Sequence, residues 1–246
     1  MERCGLSCDL GTVLRFYKMI SVLYAYMPSD MLRKGLALLL PIILLGSMYW
    51  LFHVLTHRYG YPLGYLLSIV IYWLFWCTFV PLFLLGGRKA IIELFHPFPA
   101  LGGLTWKTHV ALWWPICFPL SFIFIPRVAK ARPSVLVISL MLGIVIGLTE
   151  EILWRGVYMT LFPGNLWLNL IYPSIMFGLW HLAPQSVVVN RMPGGSISFV
   201  VYAILLGVTY AVSVNQTRSI AWGTISHIMH DSLGLGGLTY MVWLVK

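Results

Sequence analysis

Long apolar runs separated by short polar connections dominate the chain. A helix needs about 20 apolar residues to cross the hydrocarbon core of a bilayer, and several runs approach that length. The pattern predicts helical spans over 36–55, 63–85, 109–125, 134–155, 166–181, 197–214 and 220–231, with a further apolar piece at 238–245. Pro115 and Pro119 are expected to break the third span. We therefore predict an all-α fold, a polytopic transmembrane helical bundle with seven or eight spans.

Composition and charge agree with a membrane protein. Of the 246 residues, 60% are hydrophobic and only 9% are charged, whereas a soluble domain carries about 25% charged residues. The formal net charge is +9, but the basic residues form short flanks between apolar runs, which is typical of membrane topology rather than of nucleic-acid binding. Their distribution predicts a multi-pass protein of the cell membrane with a cytoplasmic N-terminus and no nucleic-acid partner.

The same pattern divides the chain into three regions. The stretch from Leu10 to Met27 is apolar but is interrupted by Arg15 and Lys18, which predicts an amphipathic helix at the membrane interface. We expect an amphipathic N-terminal segment (1–33), a set of N-terminal transmembrane helices (34–133) and a transmembrane core that carries the candidate chemistry (134–246).

Two adjacent carboxylates close the fourth predicted span. The chain has only seven acidic residues, and an ionisable group at membrane depth costs roughly 2.5–3.5 kcal/mol on insertion scales. Residues four apart share a helical face, so Glu151 is expected to pair with Arg155, while Glu150 projects elsewhere and can act as a base. Gly143 and Gly147 continue the Glu151 stripe and predict the close approach of another helix. A purely structural ion pair is the alternative for Glu151 and Arg155.

Histidines lie near the ends of two later spans. His181 shares a helical face with Phe177 and Gly178, and His227 lies one turn before Asp231. Each of the three helices thus presents small residues on the face that bears its ionisable groups. One polar cavity inside the bundle would satisfy those groups internally, and we predict such a cavity. A lone histidine near a span end can also be an interface residue, which is the alternative for His181.

Carboxylates and histidines at one site can perform general acid–base chemistry on water and a carbonyl group, and they can also bind a metal. The H-E-x-x-H signature of zincin proteases is absent from the sequence. No G-x-S-x-G elbow exists, and neither Cys77 nor Cys117 lies in a polar motif, which argues against a covalent acyl-enzyme. The residues therefore favour a hydrolase that activates water directly.

Three motifs in a fixed order match a known pattern. They are Glu150-Glu151-x-x-x-Arg155, Phe177-x-x-x-His181 and His227-x-x-x-Asp231, each on a separate predicted helix. Over roughly residues 134–234 the sequence resembles the CAAX protease and bacteriocin-processing (CPBP, or ABI) family of intramembrane proteases, which includes the type II CAAX prenyl endopeptidases. The resemblance implies an endopeptidase that works within the bilayer and needs no cofactor. Its substrate would be a small peptide or a lipidated protein, either CAAX-like or similar to a bacteriocin leader.

The resemblance also implies roles for individual residues. Glu150 and His181 would activate the water, and His227 with the residue at 231 would stabilise the oxyanion. The supporting residues would be Glu151, Arg155 and Phe177. The sequence does not indicate an oligomeric state.

The last motif departs from the family pattern, because the prenyl proteases have Asn where this chain has Asp231. An ionised carboxylate cannot donate a hydrogen bond to an oxyanion, so Asp231 must be protonated, orient His227 or bind a metal. One alternative function is therefore a zinc-dependent protease that uses His181, His227 and Asp231. Another is a non-catalytic scaffold or bacteriocin-immunity protein of the same fold. His230 is expected to pack or to lie at the edge of the cavity rather than to ligate.

Overall fold

The computed structural model describes residues 29–188 and 193–235, and every regular element within them is helical. The predicted all-α class is therefore confirmed for this part of the chain. The predicted interfacial helix between residues 10 and 27 and the apolar piece at 238–245 lie outside the described residues.

The described part of the chain contains both long and short helices. In chain order they are α1 (Asp30–Tyr59), α2 (Tyr61–Leu85), α3 (Arg88–Glu93), α4 (Trp106–Val128), α5 (Pro133–Leu161), α6 (Tyr172–Trp180), α7 (Leu182–Gln185), α8 (Gly195–Thr217) and α9 (Ala221–Leu233). Five of them, α1, α2, α4, α5 and α8, are long and apolar enough to cross a membrane. Because α6 and α9 are shorter, the structure supports five candidate spans, and the count of seven or eight stays a prediction.

Several helices contain π-helical turns, in which a backbone N–H bonds to the carbonyl five residues earlier. Such turns lie within α2 (Tyr72–Phe79), α4 (Leu120–Phe124) and α5 (Ile152–Gly156), and another precedes α6 (Trp167–Ile171). Except in α5, each of these turns lies just before a proline, which cannot donate a backbone hydrogen bond.

The expectation that Pro115 and Pro119 break the third span is wrong, because α4 runs through both prolines. Pro119 has no N–H, so the Pro115 carbonyl loses its partner within the helix. The imidazole of His230 on α9 donates to that carbonyl, with a distance of 2.8 Å between Nδ1 and the oxygen. A neighbouring helix thus satisfies the backbone group that the proline leaves free, as is common inside membranes.

Small residues permit two close helix contacts near the candidate site. A Cβ atom added at Gly147 on α5 would lie 2.7 Å from the backbone nitrogen of Ile228 on α9. A Cβ atom at Gly207 on α8 would lie 3.0 Å from Cα of Ser174 on α6. These contacts confirm the predicted close approach along the glycine stripe of α5, and they hold α9 and α6 beside the carboxylates.

The hydrophobic core joins the N-terminal helices to the end of α5. It includes Leu44, Met48 and Phe52 of α1 together with Leu153 and Trp154 of α5. Large apolar side chains are exposed on the outer faces of the long helices, which suits contact with lipid. Helices α1 and α2 therefore pack directly behind the charged end of α5.

Candidate active site

The carboxylates of the fourth span are buried at the C-terminal part of α5. Glu150 is 4% exposed and Glu151 is fully buried. A Glu151 oxygen lies 3.0 Å from Nη1 of Arg155, so the predicted ion pair is confirmed. The Arg155 guanidinium also donates through Nη2 to the carbonyl of Gly207 on α8, at 3.3 Å.

Two aromatic rings flank the Arg155 guanidinium. Its central carbon lies 4.6 Å from the centroid of Phe177 on α6 and 5.2 Å from the centroid of Tyr210 on α8. Cation–π contacts strengthen when both groups are removed from water. The buried positive charge is therefore held by a carboxylate, a carbonyl and two rings that come from three different helices.

The imidazole of His227 on α9 lies among three carboxylates. Nδ1 is 2.9 Å from an oxygen of Glu151, and Nε2 is 3.8 Å from Glu150 and 3.6 Å from Asp231. The same Glu151 oxygen contacts both His227 and Arg155. Glu151 thus contacts two groups, the Arg155 guanidinium and Nδ1 of His227. Within residues 29–188 and 193–235, the one ion-pair contact of Glu150 is with Nε2, on the other side of the same imidazole.

His181 lies just after the end of α6, and Phe177 separates it from His227. The Phe177 ring centroid is 5.0 Å from that of His181 and 6.0 Å from that of His227, and both histidine rings are nearly perpendicular to it. Nδ1 of His181 is 2.8 Å from the Phe177 carbonyl. Because a carbonyl only accepts, this nitrogen carries the proton, and the lone pair of the neutral ring is on Nε2. The expected partnership of His181 with Glu150 stays a prediction.

The described segments do not contain the side-chain arrangement that the zinc-dependent alternative needs. No group of three or more His, Cys, Asp or Glu side chains among them is arranged to hold a metal ion. His181, His227 and Asp231 therefore do not form a ligand set in this structure, and we derive no chemical step through zinc. The side chain of His230 bonds to the Pro115 carbonyl, which agrees with its expected packing role.

Comparison with known proteins finds a family model that matches part of the chain. Residues 132–233 match the model of the type II CAAX prenyl endopeptidase Rce1-like family. We refer to residues 132–233 as the Rce1-like domain, after the family model that they match. The family resemblance inferred from the three motifs is thereby confirmed, and the domain contains every residue of those motifs. No match was found among curated proteins or among solved structures.

One aromatic residue inside the Rce1-like domain was missed by sequence reasoning. Tyr210 is fully buried, and its ring stacks on His227 with a centroid distance of 4.7 Å and an interplanar angle of 19°. The only local signal is its position three residues after Gly207, on the α8 face that approaches α6 and α5. In a chain with 13 tyrosines, that signal is too weak to single it out.

A second missed residue, Tyr72, lies outside the Rce1-like domain, in the π-helical turn of α2. Its hydroxyl accepts a hydrogen bond from the Trp154 indole at 3.0 Å and interacts with the Glu150 carboxyl group. Its ring stacks on Trp180 of α6 with a centroid distance of 3.7 Å. The N-terminal helices therefore contribute directly to the surroundings of Glu150, which no motif in the sequence indicates.

Proposed function

We propose that the protein is an intramembrane endopeptidase that hydrolyses a peptide bond of a prenylated or otherwise membrane-associated peptide, using water activated by Glu150. The observation that carries the proposal is that the two adjacent carboxylates differ in the number and closeness of their ion-pair contacts. Glu151 is held by Arg155 and His227 at 3.0 and 2.9 Å, whereas Glu150 is buried and lies 3.8 Å from His227. A protein that used the pair only to associate helices would have no need of the second carboxylate.

In the proposed reaction, Glu150 accepts a proton from water while the water oxygen bonds to the carbonyl carbon of the scissile peptide. The π electrons of the carbonyl move onto its oxygen, which becomes an oxyanion. When the tetrahedral intermediate collapses, the C–N bond breaks and Glu150 returns the proton to the leaving amine. General acid–base catalysis of this kind contributes about 10²–10⁴-fold to the rate.

The histidines have complementary proposed roles. The unprotonated Nε2 of His181, which follows from its Nδ1 hydrogen bond to Phe177, can accept a hydrogen bond from the same water. Nε2 of His227 lies between Glu150 and Asp231, a position that is favourable for an N–H donor. His227 can therefore donate to the oxyanion, and Asp231 orients its ring. Because Glu150 and His227 are buried, their electrostatic effect on developing charge is larger than in water.

The test is a cleavage assay with purified protein in detergent or liposomes. The two substrates are a prenylated peptide with a CAAX terminus and a bacteriocin-type leader peptide. We expect Glu150→Gln to lower kcat by about 10²–10⁴-fold, and His181→Ala to lower it substantially. Glu93→Gln is the matched control, because Glu93 is an exposed carboxylate on α3, and this variant should keep wild-type activity.

Each result of the assay has a definite meaning. Full activity in Glu150→Gln would refute the glutamate mechanism. Loss of wild-type activity in a strong chelator, followed by recovery with zinc, would favour the metal-dependent alternative. Cleavage of neither substrate by folded wild-type protein would favour a non-catalytic scaffold or immunity protein of the same fold.

A further inference from the structure

The surroundings of His227 contain many hydrogen-bond acceptors and few donors. Glu150, Glu151 and Asp231 all approach its ring, and ionised carboxylates can only accept. An oxyanion is stabilised by donors aimed at the position where the charge develops. If the proposed peptidase function holds, a donor besides His227 would stabilise the oxyanion further, and the residue at 231 cannot supply it as a carboxylate.

Tyr210 has the properties of such a donor. Its side chain is fully buried, and its hydroxyl has no hydrogen-bond partner within the described segments of the chain. A buried polar group without a partner is unfavourable and is rare in native structures. An unpaired buried hydroxyl within a cluster of charged residues therefore indicates a ligand that is not part of the protein.

The ring of Tyr210 contacts two charged or polar residues of the site. Its ring lies parallel to the ring of His227 at 4.7 Å, and the Arg155 guanidinium lies 5.2 Å from its centroid. Asp231 and Glu151 are the acidic residues that interact with its hydroxyl. Tyr210 thus lies in the same cluster as His227 and Asp231. Its ring is held there by His227 and Arg155, and within the described residues its hydroxyl is not used to hold it.

We propose that Tyr210 is a catalytic residue that donates its O–H to the oxygen of the scissile carbonyl, beside His227, and so supplies the donor that Asp231 lacks. This inference rests on the proposed peptidase function. The phenol keeps its proton throughout, so no bond to Tyr210 forms or breaks, and the hydrogen bond shortens as negative charge develops on the oxygen. His227 and Tyr210 would then form a pair of donors from α9 and α8.

The test compares Tyr210→Phe with wild type. This variant keeps the ring that stacks on His227 and loses only the hydroxyl. Removal of one oxyanion donor typically lowers kcat by about 10²–10³-fold, and we expect a loss of that order with little change in KM. The control is Tyr158→Phe, which removes another fully buried tyrosine hydroxyl whose partner is the Ala37 carbonyl of α1. The control should lower the thermal unfolding midpoint and leave kcat near the wild-type value.

A second comparison separates a catalytic role from a structural one. Asp231→Asn introduces an amide donor at the position where the prenyl proteases have it, so the hydroxyl of Tyr210 becomes partly redundant. We expect Tyr210→Phe to reduce kcat less in the Asp231→Asn protein than in the wild type. An equal loss in both backgrounds, or an unchanged kcat in Tyr210→Phe, would overturn the inference while leaving the peptidase function intact. Wild-type protein that cleaves neither substrate would refute both.

Discussion

The π-helical turns of α2 and α5 face each other at the candidate site, yet they have different causes. In α2, the Val80 N–H bonds to the Phe75 carbonyl, and the next residue is Pro81. In α5, the Val157 N–H bonds to the Ile152 carbonyl, and the next residue is Tyr158. A proline cannot donate, so the local sequence explains the turn in α2. Nothing equivalent explains the turn in α5.

The remaining π-helical turns of the described segments follow the proline rule. Ile125 donates to Leu120 directly before Pro126, and Tyr172 donates to Trp167 directly before Pro173. The turn in α5 is therefore the exception, and it is the one that contains Arg155. Turns of this type occur frequently at functional sites. The comparison indicates that contacts between helices, rather than the local sequence, hold the α5 turn.

The sharpest test of this conclusion removes the guanidinium that makes most of those contacts. Arg155→Met leaves the buried Glu151 carboxylate with His227 as its remaining ion-pair partner, and breaking a buried ion pair costs about 3–5 kcal/mol. We expect a large fall in the thermal unfolding midpoint in detergent. The matched change in α2 is Thr78→Val, which removes an exposed hydroxyl bond to the Trp73 carbonyl and should alter stability by less than about 0.5 kcal/mol.

The double variant Glu151→Gln/Arg155→Met provides the internal control for this prediction. With both charges removed, the buried carboxylate that lost its guanidinium partner is also gone, so part of the lost stability should return. Equal unfolding midpoints for Arg155→Met and Thr78→Val would show that interhelical contacts do not hold the α5 turn.

The next largest effect is expected where the two π-helical turns meet. Tyr72→Phe removes the acceptor of the Trp154 N–H, and an unpaired buried donor costs about 1–3 kcal/mol. The same change removes the hydroxyl that interacts with Glu150, so kcat should fall while the ring still stacks on Trp180. Unfolding midpoints and kcat are measured together. Loss of stability with unchanged kcat would limit Tyr72 to a structural role.

A smaller effect is expected from the helix contact that precedes the α5 turn. Gly147→Ala adds a methyl group 2.7 Å from the Ile228 nitrogen, and overpacking of this kind costs about 1–3 kcal/mol, partly offset by the gain of about 1 kcal/mol in helix propensity. Gly46→Ala on α1 is the control, because nothing lies within 4 Å of its added Cβ, and its stability should not fall. Differential scanning fluorimetry distinguishes the two variants.

These residues also show what could be predicted from the sequence. Glu151, Arg155 and the glycines of α5 follow helical periodicity, because their positions depend on residues four apart in one helix. Tyr72 and Tyr210 could not be predicted, because their contacts join residues 72 to 154 and 210 to 227 across separate helices. The α5 turn was missed for the same reason, since no local residue encodes it. The span count and the shared cavity also depend on how helices assemble, and both stay predictions.

The smallest effect is expected at the proline that explains the α2 turn. Pro81→Ala restores a backbone N–H that can donate to the Cys77 carbonyl, and Pro81 is buried at the end of α2. Because Tyr72 is held by Trp154 and Trp180 on other helices, we expect its position to persist and the stability to change by less than about 1 kcal/mol. Activity on the prenylated peptide should stay near the wild-type value. A large loss of activity would mean that the backbone geometry of the α2 turn, and not only the contacts of Tyr72, maintains the site, and that the two turns differ in local cause but not in functional importance.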